Sequence, residues 1–342
     1  VVFVDELNEY GAIEAFDTKG FSAEFSNDIS ERRWDDDYHH SAYRTDGAFS
    51  SNAAALKDQK LGLLKAGGGT LILSGTNTYA GATIVEGGVL AVAKREDETG
   101  GVLKNSNVVV RRSGTLMGDG AIDNKLVNNG TVLPGWRGDT LTVGSYEQGE
   151  HAVLGIIFDA QGGHAALAVT GTARLDGTLS YMPQRNVFYK SGRYALKSEA
   201  LTAAQTEGNF SRLTAQTNSP TLTATLVDAG DAALGSGAVI EIDRAANAYS
   251  KWAQTSTQAS VGSALAAIAQ TSGQDMQQLI SVLDWSDADG RSVANALRVL
   301  GPDAYARAGQ TDLIEQNELN ASILSHMLGG RLEALRHRTE QD

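Results

Sequence analysis

The chain has 342 residues, of which 42% are apolar and 6% aromatic, with 38 Gly, 4 Pro, no Cys and a formal net charge of −13. That length and apolar content allow a sizeable core and two or three domains, while the acidic excess argues against nucleic acid and anionic membrane surfaces as partners, since both need Lys and Arg. The absence of cysteine excludes a disulfide framework, a thiolate nucleophile and Cys-ligated zinc, and the Gly-rich, aromatic-poor balance suits many short strands joined by tight corners.

Residues 1–30 set Asp5, Glu6, Glu9 and Glu14 among apolar positions and lack the basic start and long apolar stretch of a signal peptide. No segment has 18 consecutive apolar residues, so no membrane-spanning helix is expected, and the chain reads as an internal fragment or a processed piece. Residues 31–61 show no sustained period and read as a long excursion. The excursion contains Asp35, Asp36, Asp37, His39 and His40. Carboxylate and imidazole suit a metal ion, which makes Asp35, Asp37, His39 and His40 the nearest approach to a metal site. Consecutive extended residues alternate in direction and cannot all converge on one ion, so a solvated loop is the competing reading.

Residues 67–92 hold three short runs rich in Leu, Ile, Val and Thr, at 70–74, 82–86 and 89–92, separated by Gly, Asn and Thr. They fit either a β-meander with a hairpin at Gly87-Gly88 or one coil of a β-solenoid, a unit that buries its apolar face only by stacking on neighbours. The pattern continues at 107–111, 115–117, 126–128, 131–133 and 140–143, and Gly-Thr followed by an apolar residue recurs at Gly69, Gly114, Gly130 and Gly177 without strict spacing. A stack of unequal coils tolerates such spacing, because extra residues leave the core at a corner. From 152 to 244 the strands lengthen and alternate more cleanly, and this stretch is assigned as the cap that a solenoid end requires.

Near Ala245 the strand pattern stops. Helical spacing appears in Val261, Leu265 and Ile268 and again in Met276, Leu279, Ile280 and Leu283, punctuated by Gly290 and Gly301-Pro302. Thr311 is a plausible cap for a longer helix whose face is Leu313, Ile314, Ala321, Leu324, Leu328, Leu332 and Leu335. As a helix, residues 311–338 would reach about 40 Å, too polar outside for lipid but suited to a water-lined β-barrel pore.

The chain contains no HExxH, no Gly-Lys phosphate loop and no G-x-S-x-G elbow, and none of its 6 His has local spacing to a Ser or Asp that specifies a triad. Asp119 and Asp123, four apart around a turn, are the candidate pair for glycoside chemistry on a β-helix groove, although acids in a turn need not face each other. Neither a catalytic residue nor a cofactor is assigned. Asn129-Gly130-Thr131 matches a glycosylation acceptor and equally a strand corner.

Residues 62–92 closely resemble the passenger-associated strand repeat of bacterial autotransporters, the type V secretion family. The runs at 113–120, 127–135 and 140–148 look like the coils that follow it. Residues 167–179, 192–196 and 208–210 resemble the C-terminal passenger module that assists folding. Residues 10–15 and 25–30 are similar to the end of a subtilisin-like protease domain and its junction to the β-helix, and 270–328 looks like the helical linker of protease autotransporters. The insertion at 31–61 departs from that pattern, and no catalytic residue carries over. The resemblance implies a mainly β chain: a right-handed parallel β-helix with a β-rich C-terminal cap, then an α-helical linker. The expected divisions are 1–61 as junction and insertion, 62–150 as coils, 151–245 as an autochaperone-like cap and 246–342 as linker. The implied role is the non-catalytic stalk of a surface-exposed or secreted passenger, with a C-terminal β-barrel translocator and an upstream domain as partners. An adhesin that binds a host protein or glycan and a carbohydrate-active β-helix enzyme are the alternatives.

Overall fold

The computed structural model describes residues 2–8, 11–29, 62–135, 140–231, 234–271 and 273–300. The expected helix from Thr311 lies outside them. The chain divides into two compact units, Val1–Thr217 with Thr223–Asp243, and Asn218–Leu222 with the chain from Arg244 onward.

The first unit is built from strands β1 (Val2–Asn8), β2 (Gly11–Asp17), β3 (Ser22–Phe25), β4 (Gly62–Ala66), β5 (Thr70–Leu73), β6 (Thr76–Asn77) and β7 (Thr83–Val92). These are followed by β8 (Val102–Leu103), β9 (Val108–Gly118), β10 (Ala121–Asn128), β11 (Thr131–Pro134), β12 (Leu141–Gln148), β13 (Val153–Phe158), β14 (Leu167–Leu175) and β15 (Thr178–Pro183). The last are β16 (Gly192–Ala195), β17 (Leu201–Gly208), β18 (Arg212–Ala215), β19 (Thr223–Asp228) and β20 (Val239–Asp243).

Three parallel ladders wind these strands into a β-helix. The first runs through β2, β4, the first halves of β7 and β9, and the second halves of β10, β12, β14 and β17. The second runs through β3, β5, the second halves of β7 and β9, then β11, β13, β15 and β18. The third joins β6 and β8 to the first halves of β10, β12, β14 and β17. Only β1 departs from this pattern in the large sheet, pairing antiparallel with β2.

Alternation along each strand explains the core. In the second ladder Leu71, Leu90, Leu116, Val132, Leu154 and Leu179 form one inward column in register, and each is 0% exposed. Burial of each contributes about 1.5–3 kcal/mol, an amount that exists only when coils stack, because a lone coil is open above and below.

The stretch 67–92 forms one coil and part of the next, not a meander. β7 passes through Gly87-Gly88 as one strand and pairs in parallel with β4, β5 and β9. Gly88 has φ +64°, and a Cβ there would sit 2.4 Å from the carbonyl oxygens of Gly67 and Gly69. The double glycine is therefore a corner pressed against the coil beneath, not a hairpin turn.

The ladders do not break at residue 150 but continue to Ala215. Beyond them β16, β20 and β19 make a three-stranded antiparallel sheet. The Leu234 carbonyl accepts from the amides of Ala200 and Leu201, and the Gly235 carbonyl accepts from the Tyr181 hydroxyl at 3.3 Å, laying this turn over core residues of the last coils. Aromatic pairs sit at both ends of the stack: Phe16 with Phe25 at 5.1 Å, and Tyr189 with Phe158 at 6.0 Å and with Tyr194 at 5.4 Å.

The second unit holds a 3₁₀ turn, Ser250–Trp252, and helices α1 (Ser256–Ile268), α2 (Gln274–Asp284) and α3 (Arg291–Leu300). Thr255 caps α1 by accepting the Gln258 amide. Among the described residues no helix is long and apolar enough to cross a membrane.

Candidate functional site

Inside the first unit, the last inward position before the first corner carries a polar group in three of five successive coils, where alternation calls for an apolar one. Lys65, Val85, Val110, Asn128 and Gln148 share one column of the first ladder. Lys65 is 0% exposed. Its Nζ donates to the carbonyls of Ala66 at 2.7 Å, Gly67 at 3.0 Å and Gly87 at 3.0 Å, three acceptors for three ammonium protons. Burial holds its pKa below the ordinary lysine value, against the opposing pull of Asp17.

Asn128 donates to the Val153 carbonyl at 3.0 Å and accepts from the Gly130 amide at 3.0 Å. Gln148 donates to the carbonyls of Ala152 at 3.2 Å and Thr178 at 3.1 Å, and Tyr146 bridges the two side chains. Each polar residue thus ties its own corner to the next coil. Corners lie between ladders, where carbonyls lack strand partners, and an unsatisfied buried group there costs about 1–3 kcal/mol. A second internal chain links Tyr79, Thr83 and Ser106, with both hydroxyl contacts at 2.7 Å.

The acids expected as a pair are engaged separately. Asp119 is 2% exposed and accepts the Lys94 amide at 2.9 Å, capping the corner after β7. Asp123 faces Lys104 at 3.7 Å on the half-exposed surface. Asp119 also lines a shallow concavity of about 540 Å³ with Lys94, Glu98, Val102, Ala121 and Thr142. A second, of about 460 Å³, lies against Glu24, Ile72, Ser74 and residues 93–97.

The metal candidates Asp35, Asp37, His39 and His40 lie outside the described residues. Among the described residues no three His, Asp or Glu come together to hold an ion. The structure does join two residues that no local spacing connects: His164 Nε2 lies 3.1 Å from Ser198 Oγ. The same nitrogen is 3.1 Å from the Ser198 carbonyl, and Nδ1 is 2.9 Å from the Ala165 carbonyl. Among the described residues no carboxylate orients the ring, and neither concavity includes it, so the pair fastens two loops rather than forming a triad.

In the second unit, Asp284 at the end of α2 is fully buried and ion-paired with the buried Arg244. It also accepts the hydroxyls of Thr221 and Tyr249, each at 2.6 Å. Burial works against the Arg244 charge, but Asp284 outweighs it and holds the guanidinium above its ordinary value. Burial, then the Asp284 charge, pushes the Tyr249 hydroxyl up. Forty residues separate Arg244 from Asp284, so no sequence window shows the pair.

These polar groups hold a stack of coils and a set of helices in register, and none is poised over a substrate-sized cleft with a nucleophile and base. Residues 63–92 match the family model described as Passenger-associated-transport-repeat. The matched repeat spans β5, β6 and β7 and most of β4, and so contains both Lys65 and the Gly87 carbonyl it binds in the next coil. The chain is also 45% identical over 75 residues to an extracellular serine protease of Serratia marcescens. That alignment covers 22% of this chain and 6% of the protease. The likeness thus reaches a small part of each protein, and the repeat is the part of this chain that a family model describes.

Proposed function

We propose that this chain is the non-catalytic stalk of a bacterial autotransporter passenger. It carries an upstream domain, a serine protease by analogy with the Serratia relative and a subtilisin-like one by the resemblance of residues 10–15 and 25–30, away from an outer-membrane translocator barrel to the cell surface or the medium. The parallel ladders running from β2 to β18 carry this reading, and the matched repeat at 63–92 supports it. Residues 152–243 act as an autochaperone: their coils and antiparallel sheet fold first and present a strand edge on which earlier coils assemble. The helical segment leads toward the barrel.

The test compares refolding of the whole chain with that of a chain lacking residues 152–243, in solution and displayed on its barrel. The deleted chain is expected to leave residues 62–150 protease-sensitive and undisplayed. Normal refolding and display without 152–243 would defeat the autochaperone assignment. The concavities flanking residues 93–101 support an adhesin as the second reading. It predicts that the isolated chain binds host protein or glycan and loses binding when those residues are shortened.

A further inference from the structure

The chain holds one Asn-Gly step, Asn129-Gly130, and it makes the corner between β10 and β11. Packing dictates the glycine: a Cβ at 130 would sit 2.2 Å from the Arg111 carbonyl oxygen and 2.5 Å from that of Gly114, in the preceding coil. The same lack of a side chain leaves the Gly130 nitrogen unshielded in an unfolded chain, with the side-chain carbonyl carbon of Asn129 as an electrophile within reach. Folding takes that nucleophile away. Gly130 is buried, its amide donates to Asn128 Oδ1 at 3.0 Å, and its carbonyl accepts the Val153 amide at 2.8 Å. Asn128 is itself 0% exposed and held by two donations from Nδ2, to the Tyr146 hydroxyl and the Val153 carbonyl, each at 3.0 Å. The Asn129 side chain, by contrast, stays at the surface.

We propose that Asn129-Gly130 is a site of spontaneous deamidation that folding closes through the Asn128 side chain, so that a chain slow to fold is marked there and a folded one is not. In the unfolded chain the Gly130 nitrogen attacks Asn129 Cγ. A new N–C bond closes a cyclic imide, the bond from Cγ to the side-chain nitrogen breaks, and ammonia leaves with the proton that Gly130 gives up. Water then opens the ring at either carbonyl, which leaves aspartate, or isoaspartate with the backbone routed through the side chain. Isoaspartate lengthens the corner by one backbone atom. The strands on either side are both held in register, Asn128 opposite Val110 and Thr131 opposite Thr115, and a longer corner does not satisfy both ladders. The modified chain is therefore barred from completing this coil. The inference stands independently of the stalk reading, because it needs only the ladders and the corner.

The test incubates the whole chain in mildly alkaline buffer, folded or in urea, and measures isoaspartate by enzymatic methylation of the peptide that contains residue 129. The folded chain should be modified there more than about tenfold more slowly than the chain in urea, because the reaction waits on local opening of the corner. Asn128→Leu, which removes the acceptor, should bring the folded rate close to the rate in urea. Tyr146→Phe, which takes a partner from Asn128 Nδ2 and leaves Oδ1 in place, should keep the protection; its loss there would trace the effect to packing at large and overturn the role of Asn128. Where Asn128→Leu loses its strand signal, hydrogen exchange at the Gly130 amide of the unaltered chain decides, with protection like that of the ladder amides expected. Equal rates folded and in urea, an unchanged slow rate in a folded Asn128→Leu chain, or a freely exchanging Gly130 amide would each overturn the gate. After ageing in urea and refolding, isoaspartate should concentrate in the protease-sensitive fraction. An equal share in the protease-resistant fraction would overturn the bar to coil closure.

Discussion

Asp284 occupies the last position of α2, where the helix dipole disfavours an anion, and it is buried in addition. It is held there by Arg244, Tyr249 and Thr221, which together satisfy both carboxylate oxygens. Removing one member of such a set leaves the others buried and unpaired. Asp284→Asn is therefore expected to destabilise the helical unit by about 3–5 kcal/mol, read from urea unfolding followed by helical circular dichroism. Replacing the ion pair together, as Arg244→Met with Asp284→Leu, should recover the part of that loss that comes from the unpaired charge, while the Tyr249 and Thr221 hydroxyls, left without their acceptor, keep the rest. A double variant as unstable as the single one would mean that packing, not charge, sets the cost.

At the scale of elements, the coil is defined by its corners as much as by its faces. Residue 29 is pinned by the second coil: the Ile29 amide donates to Asn77 Oδ1 at 3.2 Å, and its carbonyl accepts the Thr78 amide at 2.9 Å. The chain is back in the stack at Gly62, paired with Ile13, and the Leu63 amide donates to Ala82. One coil later the same corner is crossed by residues 78–82 alone. Replacing residues 30–62 with the corner sequence Thr-Tyr-Ala-Gly-Ala should therefore leave the β-helix folded, with a melting temperature within a few degrees of the whole chain. Collapse of the strand signal in circular dichroism would show that the excursion holds the first coils together. The faces were legible in the sequence because apolar inward and polar outward residues alternate, as in Leu141, Thr142 and Val143. Corners were not: Gly87-Gly88 satisfies a hairpin rule equally well, and only the parallel neighbours on both sides distinguish the two. The helical spacing located α1 and α2, but 276, 279, 280 and 283 fit two adjacent faces, and only packing selects the one that buries Ile280 and Leu283 and leaves Leu279 exposed. His164 with Ser198 and Arg244 with Asp284 meet across 34 and 40 residues, a distance that periodicity does not encode.

For the whole molecule, buried tyrosines make stability depend on alkaline pH. Tyr79, Tyr146, Tyr181 and Tyr189 in the β-helical unit and Tyr249 in the helical unit are all shielded from water, and burial raises each hydroxyl above the ordinary 10.0, Tyr181 to about 12. Above pH 10 the unfolded chain releases these protons while the folded chain retains them. The folded state then binds more protons, so stability is fully present below pH 10 and falls as pH rises toward the folded values. Each tyrosine contributes a loss of about 1.4 kcal/mol per pH unit through that window. Lys65 acts in the opposite sense: burial lowers its pKa, so the unfolded chain holds its proton longer and stability rises with pH. One lysine against four tyrosines cannot reverse the trend in the β-helical unit. We expect that unit to unfold cooperatively between about pH 10 and 12, with tyrosinate absorbance from the buried residues appearing together with loss of strand signal. Titration of all 10 tyrosines near pH 10 with the strand signal intact would mean that water reaches the interior of the stack.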